Sequence, residues 1–91
     1  MPISDEVRLG DVGFTPSSVK VSVGEAIRLR NDSSRARRIV GGASGELTYD
    51  TGVMQPGDST VIRFSRAGAI VLREKGRESP VLRVRVDSVP S

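Results

Sequence analysis

Short runs of alternating apolar and polar residues, separated by glycine and proline, constrain the fold of this chain more than any other feature. The run VKVSV (19–23) places three valines on one face, and AIRLRN (26–31) separates apolar side chains from arginines in the same way. VIRF (61–64), AIVLRE (69–74) and LRVRV (82–86) repeat the pattern. A period of two is typical of half-buried β-strands. The pattern recurs seven or eight times, which predicts an all-β sandwich or barrel of seven or eight strands.

Composition limits how such a sandwich can be stabilised. The chain has 91 residues, no cysteine and no histidine, so neither a disulfide nor a thiolate or imidazole metal site can hold it together. A core of Val, Ile and Leu must do so instead. We expect one domain over residues 1–91, an ordered core from about residue 6 to residue 87, and helix only as a turn near 43–48. No apolar run reaches the roughly 20 residues that a membrane helix needs.

Two longer stretches combine turn residues and strand ends in a specific order. VGFTPSSVKVSVGEAIRLRND (12–32) has an aromatic residue and proline, alternating valines, a Gly-Glu turn and a strand that ends in Asn. YDTGVMQPGDSTVIRFSRAGAIVL (49–72) has an aromatic-Asp-Thr-Gly segment, a Pro-Gly turn and a strand that ends in Phe. Together they resemble the cupredoxin family, whose familiar members are plastocyanin and azurin, and the resemblance covers roughly residues 7–86. It implies a Greek-key β-sandwich of two sheets, which in that family holds one copper ion for electron transfer.

The resemblance also indicates which residues occupy the positions of the copper ligands. The first His position corresponds to Arg37, with Arg38 beside it, the Cys position to Glu74, the second His position to about Arg77, and the Met position to a place near Pro80. A blue-copper site needs two imidazoles and a thiolate, and this chain has neither residue type. Copper-based electron transfer is therefore excluded on chemical grounds, and we expect no cofactor.

The substitutions suggest an ionic replacement for the metal. Glu74 has the same parity as Ile70 and Leu72, so its carboxylate should point between the sheets, where an unpaired charge would be costly. We hypothesise that Arg37 and Arg77 converge on it and form an Arg–Glu–Arg cluster that cross-links the loops. The alternative is that Glu74 and Arg77 lie in a solvated loop with no specific partner.

Further cations are expected at the same end of the sandwich. Arg35, Arg73 and Lys75 would form, with the cluster arginines, an arginine-rich rim that could bind a carboxylate, sulfate or phosphate. A solvated rim whose charges pair among themselves is the other interpretation. The sequence does not favour nucleic-acid binding, although the net charge is +3, because the strand arginines are divided between the two outer faces and few aromatic residues are available for stacking.

The sequence lacks the usual catalytic equipment and does not predict an enzyme. We expect a binding or scaffolding module for a protein partner or neighbouring domain, with Arg37, Arg38, Glu74 and Arg77 as candidate contact residues. A purely structural domain of a larger extracytoplasmic protein or self-associating assembly is a second possibility, and binding of an anion or polyanion by the arginine-rich rim is a third. Family resemblance suggests export, with the leader removed.

Overall fold

A computed structural model of the chain describes residues 3–42 and 49–88, and within them every regular element is a β-strand. In chain order the strands are β1 (Ile3–Leu9), β2 (Phe14–Thr15), β3 (Ser18–Ser22), β4 (Ala26–Asn31), β5 (Arg37–Gly42), β6 (Tyr49–Met54), β7 (Ser59–Arg63), β8 (Gly68–Glu74) and β9 (Val81–Asp87). The described residues contain no helix that could cross a membrane. The turn expected near 43–48 lies outside the described residues.

The strands form two sheets, which confirms the predicted β-sandwich. The first sheet has the order β2-β1-β4-β7 and the second has the order β3-β9-β8-β5-β6. Within them β1 pairs with β4, and β3 with β9, in parallel, while the other neighbours are antiparallel. Strands that are consecutive in the chain often lie in different sheets, so several loops connect the two sheets.

The predicted number of seven or eight strands is wrong, since the described residues form nine. Two short or weakly patterned elements account for the difference. β2 has only two residues, and it pairs with the end of β1 through Leu9 and Phe14. β1 begins at Ile3, before the boundary near residue 6 that the sequence suggested. Its backbone pairs with β4 from Ala26 onward, and such backbone pairing leaves little trace in side-chain patterning.

The core lies between the sheets and is built by the alternation in the sequence. Inward side chains from the predicted runs are buried: Val19, Val21, Ile27, Leu29, Ile62, Phe64, Ile70, Leu72, Leu82, Val84 and Val86. Five arginines of the predicted runs point outward and are exposed, Arg28, Arg30 and Arg63 on one sheet and Arg83 and Arg85 on the other. The ring of Tyr49 packs on Phe64 with centroids 5.3 Å apart.

Gly41 brings β5 unusually close to β8. A Cβ at this position would lie 2.0 Å from the carbonyl oxygen of Val71, so any residue other than glycine would clash there. The backbone of β5 also has an irregularity between Arg38 and Val40. Gly41 therefore allows the close pairing that holds the start of β5 beside the end of β8, where the candidate site lies.

Candidate functional site

Three connections meet at one end of the sandwich, and we call this end the loop end. They are the loops 10–13, 32–36 and 75–80, which follow β1, β4 and β8. A Cβ added to Gly13 would lie 3.4 Å from the side chain of Pro80, so the first and third loops approach closely. The loop end contains the positions that the resemblance to cupredoxins assigned to copper ligands.

The centre of the loop end is a buried ion pair between Arg37 and Glu74. Arg37 opens β5 and has the parity of Ile39, while Glu74 closes β8 and pairs in register with the same Ile39. The Arg37 side chain is 1% exposed and that of Glu74 is 12% exposed, with 3.1 Å between Nη2 and Oε1. The period-two pattern thus directs one cation and one carboxylate into the space between the sheets.

Two further arginines approach the same carboxylate oxygen from the solvent side. The guanidinium groups of Arg35 and Arg77 lie 3.7 Å and 3.8 Å from Oε1 of Glu74. Their side chains are 47% and 56% exposed. We call Arg35, Arg37, Arg77 and Glu74 the arginine cluster. The structure therefore brings Arg37, Glu74 and Arg77 together, and it adds Arg35, which the sequence placed only in the rim.

The contacts within the arginine cluster are electrostatic more than hydrogen-bonded. Arg37 Nη1 donates a hydrogen bond to the carbonyl oxygen of Gly10 at 3.3 Å. Arg37 Nε and Glu74 Oε1 are buried and have no hydrogen-bond partner among the described residues. The 3.1 Å separation of Arg37 and Glu74 is thus an ion-pair distance without hydrogen-bond alignment. A buried pair of this kind recovers only part of its desolvation cost.

Arg38 does not join the arginine cluster, although the sequence placed it among the candidate contact residues. Its side chain points to the other face of β5 and makes a bidentate contact with Asp50 of β6, with Nε 2.9 Å from Oδ1. This guanidinium, together with the Gly52 N–H, holds the pKa of Asp50 far below its usual value. The hydrogen bond from Arg38 to Asp50 in turn raises the pKa of Arg38.

Arg73 and Lys75, which the sequence placed in the arginine-rich rim with Arg35, are not members of the arginine cluster. Arg73 lies opposite Val40 and Val81 in register, with the parity contrary to that of Glu74. Lys75 is exposed, and its backbone N–H donates to the Arg38 carbonyl oxygen at 2.8 Å. Within the part of the chain that the structure describes, neither side chain makes an ion pair, and the arginine-rich rim stays a prediction.

The buried amide of Asn31 organises the loop 32–36, a role that the sequence analysis did not assign. Its Nδ2 donates to the carbonyl oxygens of Arg35 and Met54, both at 2.9 Å. Its Oδ1 accepts from the Ser33 N–H at 3.0 Å and from the Ser33 hydroxyl. Asn31 has the parity of Ile27 and Leu29 on β4. A polar residue at an inward position was the signal that could have identified it.

Asp11 ties the first loop to the second. Its Oδ1 accepts hydrogen bonds from the N–H and the hydroxyl of Ser34, each at 3.1 Å. These bonds lower the pKa of Asp11, and the nearby charges of Arg37 and Arg35 lower it further. The loops of the loop end are therefore held in place by hydrogen bonds of Asn31 and Asp11 and by the arginine cluster.

A pocket of about 330 Å³ opens beside the buried pair. Its lining consists of Ala36, Arg37, Arg38, Val53, Glu74 and Lys75. Val53 lies on β6, at the edge of its sheet, and is among the large apolar side chains that are well exposed. The pocket therefore combines a small apolar surface with side chains of both signs of charge.

The residues of the loop end do not fit a copper ion. A guanidinium occupies the space between the sheets where the resemblance placed an imidazole, and it is already paired with Glu74. No group of three His, Cys, Asp or Glu side chains in residues 3–42 and 49–88 could hold a metal. The imidazole and thiolate donors that a blue-copper site needs are absent from the sequence, which has no histidine and no cysteine.

Comparison with known proteins identifies the fold but no close relative. No protein-family model matches the sequence, and no curated protein matches it. The structure is similar to the purple cupredoxin from Nitrosopumilus maritimus, with a TM-score of 0.80 and 17% identity over 92% of this chain and 100% of the other. A Cu(I) amicyanin mutant matches with a TM-score of 0.78 and 17% identity, over 90% of this chain and 80% of that one.

A copper-containing nitrite reductase from Thermus scotoductus SA-01 contains the same fold within a longer chain. It matches with a TM-score of 0.77 and 17% identity, over 100% of this chain but 23% of its own length. At this level of identity the similarity concerns the arrangement of strands and not the activity. The strand order, the two sheets and these structural neighbours together show that the chain has the cupredoxin fold.

Proposed function

We propose that this protein is a non-catalytic, copper-free cupredoxin-like domain that binds a protein partner or a neighbouring domain through its loop end. The observation that best supports the proposal is the buried Arg37–Glu74 pair. Replacing such a pair with apolar residues is often neutral or stabilising, so stability alone is a weak reason for its presence. A role in fixing the loops is a stronger one, and the pair lies where loops 10–13, 32–36 and 75–80 meet.

The pocket beside the pair supports a binding role. Val53 is 64% exposed and lines the pocket together with Ala36. Exposed apolar side chains bordered by charged groups are a usual composition for a small protein-binding surface. Because the walls are formed by the ends of β5, β6 and β8, the surface is preformed, and a partner would bind without first ordering it.

A structural role in a larger extracytoplasmic protein is the second candidate. The nitrite reductase comparison supports it, because there the same fold makes up only part of a longer chain. The strands β6 and β7 lie at sheet edges, and Val61 on β7 is 49% exposed. Exposed edge strands can pair with another copy or another domain, so self-association stays a prediction.

Site-specific photo-cross-linking separates the two candidates. A benzophenone amino acid would replace Val53 at the loop end in one variant and Val61 on β7 in a matched control, and each would be irradiated in extract from the source cells. The binding module predicts one reproducible adduct from position 53 and none from position 61. Adducts from position 61 with twice the mass of the chain would favour self-association instead. Adducts of unrelated mass from both positions would contradict the proposed use of the loop end.

A further inference from the structure

The arginine cluster has more hydrogen-bond donors than its own acceptors can satisfy. A guanidinium carries five N–H donors, and the cluster contains three guanidinium groups. Among the described residues, the one side-chain hydrogen bond from these groups runs from Arg37 to the Gly10 carbonyl oxygen. Arg35 and Arg77 are 3.7 Å and 3.8 Å from Glu74, which is beyond normal hydrogen-bond length. Both therefore present unsatisfied donors to solvent.

The charge balance at the cluster also differs from that at other arginines. Arg38 faces Asp50 in a bidentate pair, one cation to one carboxylate. In the cluster, three cations surround the single carboxylate of Glu74. The charges of Arg35 and Arg37 also lower the pKa of Asp11, and Oδ1 of Asp11 already accepts a hydrogen bond from Ser34. With Lys75 and Glu78 of the loop 75–80 also counted, four cations face three carboxylates. The local excess is therefore one positive charge, which suits one added carboxylate better than a doubly charged phosphate.

The geometry directs that excess charge to one point. Arg35 and Arg77 approach the same oxygen of Glu74, and both side chains are about half exposed. Arg37 lies beneath them, buried and fixed. A Cβ on Gly76 would meet no atom within 4 Å, so the turn that separates Glu74 from Arg77 is open at Gly76. Arginine forks at a partly desolvated position are well suited to carboxylates.

We propose that Arg35 and Arg77 bind the side-chain carboxylate of an Asp or Glu residue in the protein partner. This inference rests on the proposed function and adds the chemistry of the partner. The adjoining pocket, with Val53 and Ala36 at its wall, accommodates an apolar residue next to that acidic one. The partner segment is therefore acidic and aliphatic, with the carboxylate on the arginines and the aliphatic side chain in the pocket.

The test is an NMR titration of the intact ¹⁵N-labelled chain with the blocked dipeptide acetyl-Glu-Leu-amide. Acetyl-Gln-Leu-amide is the neutral control, and inorganic phosphate is the competing anion. We expect saturable shifts at the Nε–H signals of Arg35 and Arg77 and at the amides of 74–77, with the Glu peptide bound at least severalfold more tightly than the Gln peptide. Arg77→Gln should weaken binding about tenfold, the effect of losing a charge-assisted hydrogen bond. Arg83→Gln, at an exposed arginine on β9, should leave it unchanged.

Several results would overturn the inference. Equal shifts with both peptides would mean that the carboxylate is not recognised, and an unchanged affinity in both Arg77→Gln and Arg35→Gln would mean that these arginines do not bind it. Phosphate binding more tightly than the Glu peptide would indicate a small-anion site instead. If the titration fails while cross-linking from position 53 persists, the acidic chemistry is wrong and the binding module stands. If the peptide binds but no adduct forms at position 53, the proposed function fails separately.

Discussion

Two arginine–carboxylate pairs start from neighbouring residues of β5 and end in different environments. Arg37 points between the sheets, where its side chain is 1% exposed, and faces Glu74 without hydrogen-bond alignment. Arg38 points outward, is 39% exposed, and makes an aligned bidentate pair with Asp50. The better hydrogen-bond geometry thus occurs where water screens it, and the poorer geometry occurs where the charges are desolvated.

The comparison indicates that the two pairs serve different purposes. An exposed pair contributes on the order of 0–1 kcal/mol even when its geometry is good. A buried pair contributes little net stability against apolar residues, but breaking it leaves an uncompensated charge. Whether an arginine is buried between the sheets or exposed on the outer face depends on its parity along the strand, and not on the residue type. The buried pair should therefore be sensitive to loss of one partner, while the exposed pair should be sensitive to salt and pH.

Removing the buried carboxylate should have the largest effect. Glu74→Ala leaves Arg37 buried without its counter-ion, and we expect the free energy of unfolding to fall by about 3 kcal/mol or more. Urea denaturation at low and high salt measures it, and the loss should be nearly independent of salt because buried charges are weakly screened. Asp50→Ala is the matched control at the exposed pair. A loss no larger than that of the control would remove the distinction between the two pairs.

Replacing both members of the buried pair should recover that loss. In the double variant Arg37→Met with Glu74→Leu, no buried charge is left unpaired, so stability should return to within about 1 kcal/mol of the original protein or exceed it. The loops should nevertheless be less well fixed, which amide order parameters for 32–36 and 75–80 would report as increased mobility. If the double variant stays as unstable as Glu74→Ala, the pair stabilises the fold directly and the role in fixing loops is not needed.

A neutral polar residue in the same region gives an intermediate case. Asn31→Ala would leave the carbonyl oxygens of Arg35 and Met54 without the Nδ2 donor. Loss of a buried hydrogen-bonding group costs about 1–3 kcal/mol, so we expect a decrease of about 2 kcal/mol in thermal or urea denaturation. Ser34→Ala, at an exposed hydroxyl bonded to Asp11, is the control and should change stability less. Equal losses would mean that Asn31 is not the organising residue of this loop.

The sequence predicted the features that depend on parity. Alternation along β4, β8 and β9 predicted the inward apolar residues and the outward arginines, and the same parity predicted the inward direction of Glu74. The fold class follows from these local patterns because a period of two requires a sheet face. The resemblance, in turn, aligned Arg37 and Arg77 with the positions of copper ligands.

Features that depend on loop conformation or strand pairing could not be predicted in the same way. The contact of Arg35 with Glu74 depends on how Asn31 folds the loop 32–36. The contact of Arg38 with Asp50 requires the pairing of β5 with β6 and its irregularity after Arg38. These contacts are made by backbone geometry between residues distant in sequence, and no local period encodes that geometry. The two-residue strand β2 was missed for the same reason.

The exposed pair should give the smallest effect, visible mainly as a dependence on pH. The Arg38 guanidinium and the Gly52 N–H hold the pKa of Asp50 well below its unfolded value, so the folded protein binds this proton less readily than the unfolded chain does. The stabilising contribution of the Arg38–Asp50 pair is therefore complete above about pH 4, the pKa of Asp in the unfolded chain. It is lost as the pH falls toward the pKa of Asp50 in the folded protein. Asp50→Asn should flatten this part of the stability profile, measured as the denaturation midpoint between pH 5 and pH 2. Asp11 and Asp87, whose pKa values are also lowered by their hydrogen-bond partners, should maintain a residual slope. An unchanged profile in Asp50→Asn would show that the aligned geometry of the exposed pair has no consequence for stability, and that only the buried pair matters.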